Sequence, residues 1–127
     1  KILADDQSTL EKTISDYCDH HPVDLLITAG GTGFSPRDMT PEATRNVIDR
    51  PSPGLDEEMR RASMGKIKTA FLSRGVSGLR KQTLIINLPG SKGGAVDNLC
   101  ALLPGLKHGL KSLRGKVTDC QLTKENQ

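Results

Sequence analysis

Val23-Asp24-Leu25-Leu26-Ile27-Thr28-Ala29-Gly30-Gly31-Thr32-Gly33-Phe34-Ser35-Pro36-Arg37-Asp38-Met39-Thr40-Pro41-Glu42-Ala43-Thr44 is the stretch on which the fold turns. Val23 to Thr28 is a short, nearly continuous apolar run, the pattern of a strand buried on both faces as in a parallel sheet. Gly30 to Gly33 makes a loop. Thr40 as cap with Pro41 behind it then starts a helix that runs to about Ile48, since proline fits the first helical turn without losing a hydrogen bond. Strand, glycine loop and helix in this order are the repeating unit of an α/β protein.

The flanks repeat the alternation. Leu10, Ile14, Tyr17 and Cys18 recur at i, i+4, i+7 and i+8, one face of an amphipathic helix from Asp6 to His20. Asp6 or Ser8 is placed to cap it by accepting from the free amides of its first turn. Arg50-Pro51-Ser52-Pro53-Gly54 reads as a break, followed by a charged helix from Leu55 to Met64 with Leu55, Met59 and Ala62 inward. Thr69 to Leu72 reads as a short strand, and Thr83 to Leu88 as the clearest strand of the chain. A second glycine-rich loop, Pro89 to Gly94, leads into a helix from Ala95 to Leu103 that Pro104-Gly105 breaks or kinks before Leu106 to Leu113. Apolar periodicity is lost after Gly115, so residues 115–127 are expected to be an irregular tail. The chain has no internal repeat and no long linker, and is expected to be one domain over residues 1–127.

The 127 residues carry 18 Lys and Arg against 15 Asp and Glu, a formal charge of +3, with aromatics at 2% and no Trp. That length suits one domain with a real core. Basic and acidic residues are interleaved, and stacking rings are scarce, so a nucleic-acid binder is excluded as a first reading. No apolar run approaches the roughly 20 residues of a membrane span, and no signal peptide is expected. Cys18, Cys100 and Cys120 are odd in number and widely spaced, the usage of reduced thiols in a cytoplasmic protein rather than of a disulfide framework or zinc site. His20 and His21 precede Pro22 at a helix end, where imidazole can meet the last carbonyls. His108, in a Lys-flanked helix, is expected to be solvated. The apolar start Lys1-Ile2-Leu3, without a leading Met, reads as the middle of something longer.

Ligands of open α/β sheets bind where strands pass into loops at their carboxyl ends. Both glycine loops follow the best strands. Glycine lets backbone amides approach an anion closely, and a helix amino terminus beyond adds partial positive charge. Two such loops on one sheet edge would suit a ligand with more than one phosphate. The plainer alternative is that the glycines only make tight turns. Neither loop has the Gly-Lys-[Ser/Thr] of a P-loop or the Gly-x-Gly-x-x-Gly of dinucleotide folds. Asp38 puts a carboxylate beside the first loop, and Asp5 ends the first apolar run, read as another strand's carboxyl end. Mg²⁺ usually takes one or two protein carboxylates plus substrate phosphates, so the pair is a candidate metal site. A helix cap for Asp5, and a turn or an Arg37 salt bridge for Asp38, are the structural alternatives.

Ile27 to Thr44 closely resembles the signature of the molybdopterin adenylyltransferases, a family that includes bacterial enzymes, the corresponding domain of the plant enzyme and the amino-terminal domain of gephyrin. The likeness continues through Pro53-Gly54, Leu72-Ser73-Arg74, Gly78-Leu79-Arg80, Leu84 to Lys92 and Leu102 to His108, and covers about Lys1 to Leu113. It implies a three-layer α/β/α sandwich with a mostly parallel sheet, usually trimeric. It further implies a role in molybdenum cofactor biosynthesis, transferring AMP from Mg·ATP to the terminal phosphate of molybdopterin with release of pyrophosphate. Residue by residue, the resemblance makes Asp5 and Asp38 the catalytic, Mg²⁺-holding pair, with Ala4 where the family often has Pro. It makes Gly30, Gly31, Thr32 and Gly33 the loop lining the pterin and phosphate site. Ser73 and Arg74 match the family's Leu-Ser-Arg turn, and Asn87, Pro89, Gly90 and Ser91 its second loop. Arg74 and Lys92 are reasonable partners for phosphate oxygens. A molybdenum-insertion protein or domain is an implied partner. Family members begin with a further strand, a Ser-Asp turn and a loop that complete the nucleotide side, so the expectation is that an amino-terminal segment is missing from this sequence.

Two other readings stand beside this one. Related domains bind molybdopterin without adenylating it or serve as oligomerisation scaffolds, and the carboxylate pair favours the enzyme over them. A generic phosphate-binding α/β domain explains the loops but not the long collinear likeness.

Overall fold

The computed structural model describes residues 1–115; the irregular tail expected beyond Gly115, with Cys120, lies outside them. The elements run α1 (Gln7–His20), β1 (Leu25–Ala29), α2 (Thr40–Val47), β2 (Arg50–Pro51), α3 (Pro53–Met64), a 3₁₀ turn (Ala70–Leu72), β3 (Ser77–Arg80), β4 (Thr83–Leu88) and α4 (Lys92–Leu113).

β4 is buried along its whole length and organises the rest. Side chains alternate across a strand, so Leu84, Ile86 and Leu88 face one side, where they pack with Met59 of α3 and Leu102 and Leu106 of α4. Ile85 faces the other side, with Ile14 and Cys18 of α1 and Val47 of α2. Two apolar clusters on the two faces of one sheet make the three-layer α/β/α arrangement.

The strand order is β1-β4-β3-β2. β1 runs parallel to β4 in the register Leu25↔Leu84 to Ala29↔Leu88, which brings the first glycine loop beside the second. β4 pairs antiparallel with β3, and β3 antiparallel with β2. The described sheet is therefore mixed, because β3 and β4 form a hairpin closed by Lys81 and Gln82. Lys81 takes the left-handed backbone at φ 50. Asp49 holds it there by accepting its N–H at 2.8 Å.

Several local expectations change. β1, expected to be buried on both faces, is the half-buried end strand of the described sheet, with Ile27 and Ala29 exposed. Thr69–Leu72 is no strand but a 3₁₀ turn, with Phe71 61% exposed and Leu72 40% exposed, so its apolar side chains have no sheet to pack on. Pro104 does not break α4, which is continuous from Lys92 to Leu113. Leu102 and Leu106 straddle the proline and are both buried, so tertiary packing holds the two halves in line despite the lost N–H. The Arg50–Pro51 break carries a short edge strand, and Ser77–Arg80, unassigned from the sequence, is a strand. Lys1–Ala4 adopts no strand. In α3, Met59 is buried and Leu55 packs on the core as expected, but Ser63 rather than Ala62 is the next buried residue. The capping and histidine expectations hold. Asp6 caps α1, its carboxylate accepting the Thr9 N–H at 2.9 Å. The His21 ring lies 3.4 Å from the Asp16 carbonyl, and His108 is exposed.

Candidate functional site

Parallel pairing puts the ends of β1 and β4 side by side, and the Gly30 N–H continues the ladder by donating to the Leu88 carbonyl at 3.0 Å. Immediately beyond, Gly30 and Gly31 take φ of 97° and 69°, which glycine adopts without the steric cost other residues meet. Gly90 of the second loop packs directly on Gly30. Ser91 then caps α4, its Oγ accepting the Gly94 N–H at 3.2 Å, so the amino terminus of a 22-residue helix opens on this edge.

Thr32 is buried and its carbonyl accepts the Arg74 N–H at 2.8 Å. Asp38 closes a tight turn. Its N–H donates to the Ser35 carbonyl at 2.9 Å, and its Oδ2 accepts the Ser35 N–H at 3.0 Å. A Cβ at Gly33 would lie 2.8 Å from that carboxylate, so the third loop glycine makes room for Asp38 to fold back. Asp5 lies 3.7 Å from the Arg37 guanidinium, both largely exposed, which brings the second acidic residue alongside the same turn. With Asp6 as the cap of α1, the capping alternative for Asp5 falls away.

Arg74 is spent on protein groups. Its Nε donates to the Gly33 carbonyl at 2.8 Å and its Nη2 to the Asp38 carbonyl at 2.7 Å, while the guanidinium forks onto the Glu42 carboxylate. That pairing holds the Glu42 carboxyl below the usual range. Asn87 is likewise engaged throughout. Its Oδ1 accepts the Val76 N–H at 3.1 Å, and its Nδ2 donates to Thr28 Oγ1 at 2.9 Å and Thr44 Oγ1 at 3.0 Å. It knits the ends of β1, β4 and α2 beneath the loops.

Two cavities flank the loops. A groove of about 730 Å³ is lined by residues 1–5, α1, β1, Gly30, Gly31 and Thr40. A smaller cavity of about 80 Å³ lies on the other side, where Ser73, Asn87, Pro89 and Ser91 meet Asp56, Arg60, Ser63 and Asn98. The last four were missed in the sequence. Asp56, Met59 and Ser63 recur at i, i+3 and i+7 on the buried face of α3, so the available signal was a carboxylate on an inward stripe. Burial pushes the Asp56 carboxyl up, outweighing the nearby Ser77, and its Oδ1 has no hydrogen-bond partner among the described residues. Ser63 Oγ donates to Asn98 Oδ1 at 2.5 Å. Lys92 is exposed.

No group of three or more His, Cys, Asp or Glu among the described residues could hold a metal ion unaided. What the edge offers is a pair of carboxylates beside backbone donors and a helix amino terminus, a donor set suited to Mg²⁺ that arrives with phosphate oxygens. No helix among the described residues is long and apolar enough to cross a membrane.

The model of the family described as "probable molybdopterin binding domain" matches residues 1–108. The chain is 40% identical over 115 residues to the molybdopterin adenylyltransferase of Helicobacter pylori strain J99, covering 91% of this chain and 65% of that protein. It is 39% identical over 117 residues to the molybdopterin adenylyltransferase of Escherichia coli K12, covering 92% of this chain and 56% of that protein. The chain thus spans between half and two thirds of the length of these relatives. Among solved structures, the molybdopterin biosynthesis enzyme MoaB of Thermus thermophilus superposes with a TM-score of 0.82 at 48% identity, covering 91% of this chain and 72% of that one.

Proposed function

This chain belongs to the molybdopterin-binding domain family, and from that premise we propose that it adenylates molybdopterin in molybdenum cofactor biosynthesis, taking AMP from Mg·ATP. The observation that carries the reading is the meeting of both glycine loops at one sheet edge, with the Asp38 turn folded against Gly33 and Asp5 beside it.

Adenylyl transfer asks the protein for positioning and charge stabilisation rather than covalent chemistry. An oxygen of molybdopterin's terminal phosphate attacks the α-phosphorus of ATP; the bond from that phosphorus to the β-phosphate oxygen breaks, and pyrophosphate leaves with the electron pair. The attacking oxygen is already anionic, so no general base is needed. Backbone N–H groups of Gly31 to Gly33 and of Gly90 to Ser91, with the amino terminus of α4, hold the phosphates and offset charge that develops in the transition state. Asp5 and Asp38 would hold Mg²⁺, which neutralises phosphate charge when it enters with the nucleotide. Ser73, Pro89 and Ser91 line the wall on the smaller cavity. The proposal extends to a homotrimer in the cytoplasm that passes adenylated molybdopterin to a molybdenum-insertion protein or domain.

The full-length protein incubated with molybdopterin and Mg·ATP should release pyrophosphate and form adenylated pterin in equal amounts. Binding of molybdopterin without turnover would instead make the domain a non-catalytic binding or scaffold module.

A further inference from the structure

We propose that Arg74 is a positioning residue for Asp38, fixing the turn that carries the carboxylate while making no contact with substrate. The proposal rests on the role given to Asp38 above.

Arg74 grips the turn at both ends. The Gly33 carbonyl before it accepts from Nε, and the Asp38 carbonyl at its close accepts from Nη2. Both terminal nitrogens then reach Glu42 in the first turn of α2, Nη2 to Oε2 at 3.4 Å. The Arg74 N–H meanwhile holds Thr32. One side chain therefore ties Gly33, Asp38 and α2 together. The turn's hydrogen bonds, Asp38 N–H to the Ser35 carbonyl, Ser35 N–H to Asp38 Oδ2 and Arg37 N–H to Ser35 Oγ at 3.3 Å, are internal, and its ion pair from Arg37 to Asp5 at 3.7 Å is largely exposed. They shape it without anchoring it.

The brace is itself braced. The carbonyls on either side of Arg74, those of Ser73 and Gly75, both accept from Arg60 Nη1 of α3, at 3.1 and 3.3 Å. A physical chain runs from α3 through Arg60 and the Ser73–Gly75 segment to Arg74 and on to Asp38. A guanidinium carries five N–H donors in a fixed fork, and the four bonds to Gly33, Asp38 and Glu42 use four of them. The remaining one cannot make the two-pronged grip by which arginine clamps a phosphate. The lysine ammonium is a point charge and cannot serve two carbonyls and a carboxylate in these directions at once.

The test compares Arg74→Lys and Glu42→Gln with the wild-type full-length protein, by amide hydrogen exchange and by steady-state turnover. Arg74→Lys should speed exchange at the Ser35 and Asp38 amides while the melting temperature stays within a few degrees. It should lower kcat by about 10- to 100-fold, the usual loss when a supporting contact is removed, with KM for Mg·ATP and for molybdopterin unchanged. Glu42→Gln should act in the same direction and less. Unchanged exchange at Ser35 and Asp38 would overturn the proposal, as would a raised KM with kcat kept, which would put Arg74 on a ligand. Should the wild type release no pyrophosphate, the adenylyltransferase reading fails, and the exchange result still decides the brace.

Discussion

A Cβ placed on Gly90 would stand 3.3 Å from the Gly30 Cα, so the two glycine loops touch backbone to backbone. Loops separated by two helices and three strands in the chain thereby share one rim. This contact depends on the parallel register of β1 and β4, which ends both strands at the same level, Ala29 opposite Leu88.

The first prediction concerns Gly31. Its φ of 69° is costly for any other residue, and a Cβ there would overlap Thr40 Oγ1. Gly31→Ala should lose about 1–3 kcal/mol from backbone strain and crowding, read as a lower urea midpoint at unchanged slope. Gly105→Ala is the contrast. That glycine lies within α4 with open space around it, so alanine should raise stability by about 0.5–1 kcal/mol through its helix propensity.

Asp56 gives a prediction with a pH signature. It is 7% exposed, and Oδ1 has no partner among the described residues. Leaving a buried acceptor unsatisfied costs about 1–3 kcal/mol. Its folded pKa lies above the unfolded value. The penalty is therefore absent in acid, where both states are protonated, and grows as pH rises through the unfolded value and then the folded one. Asp56→Asn should be more stable than wild type at pH 7–8, with the gain shrinking to nothing below about pH 4, near the unfolded carboxyl's pKa. Thermal melts across pH would show it; an equal effect at every pH would place the cost in packing instead.

Asp19 predicts the opposite sign. Its carboxylate accepts a fork from Arg80, Nε at 3.0 Å and Nη2 at 2.8 Å, with Lys81 Nζ at 3.1 Å. Arg80 also donates to the Val47 carbonyl at 2.7 Å, so the cluster joins the end of α1 to α2 and the β3–β4 hairpin. These partners hold the Asp19 carboxyl far below the usual range. The stabilisation is complete above the unfolded value and is lost as pH falls toward the folded one. Asp19→Asn should lower the melting temperature at pH 7, and the difference from wild type should close as pH falls below about 4.

Much of this was legible in the sequence because the central elements are punctuated and periodic. The apolar runs before Gly30 and before Pro89 both read as strands, but only the second is buried throughout, while β1 ends the described sheet with Ile27 and Ala29 exposed. The β3–β4 hairpin was hidden because its turn, Lys81-Gln82, carries no glycine or asparagine. Long-range pairing of Lys81 with Asp49 and Asp19 stabilises a backbone that local propensity disfavours. Pro104 and Thr69–Leu72 misled in the same way, since packing, or its absence, outweighed local preference. At the site, residue types showed which groups carry charge but not which were already spent. Arg74 looks like a phosphate partner until Gly33, Asp38 and Glu42 are seen around it.

The last prediction separates charge from shape at Asp38. In the wild type, Oδ2 accepts the Ser35 N–H, and the amide oxygen of asparagine can accept the same bond. Asp38→Asn should therefore keep the turn, the brace to Arg74 and the thermal stability, and should leave molybdopterin binding intact. What it removes is the negative charge that would hold Mg²⁺ against the nucleotide. Losing one such electrostatic group typically costs at least about 100-fold in kcat, so pyrophosphate release should fall to near background. Asp38→Ala would lose the Ser35 bond as well and should loosen the turn, so a wider exchange footprint for alanine than for asparagine is expected at equal loss of turnover. Full turnover by Asp38→Asn with Mg·ATP would remove Asp38 from the chemistry. It would leave its carboxylate the task of shaping the turn, a task that asparagine performs equally well.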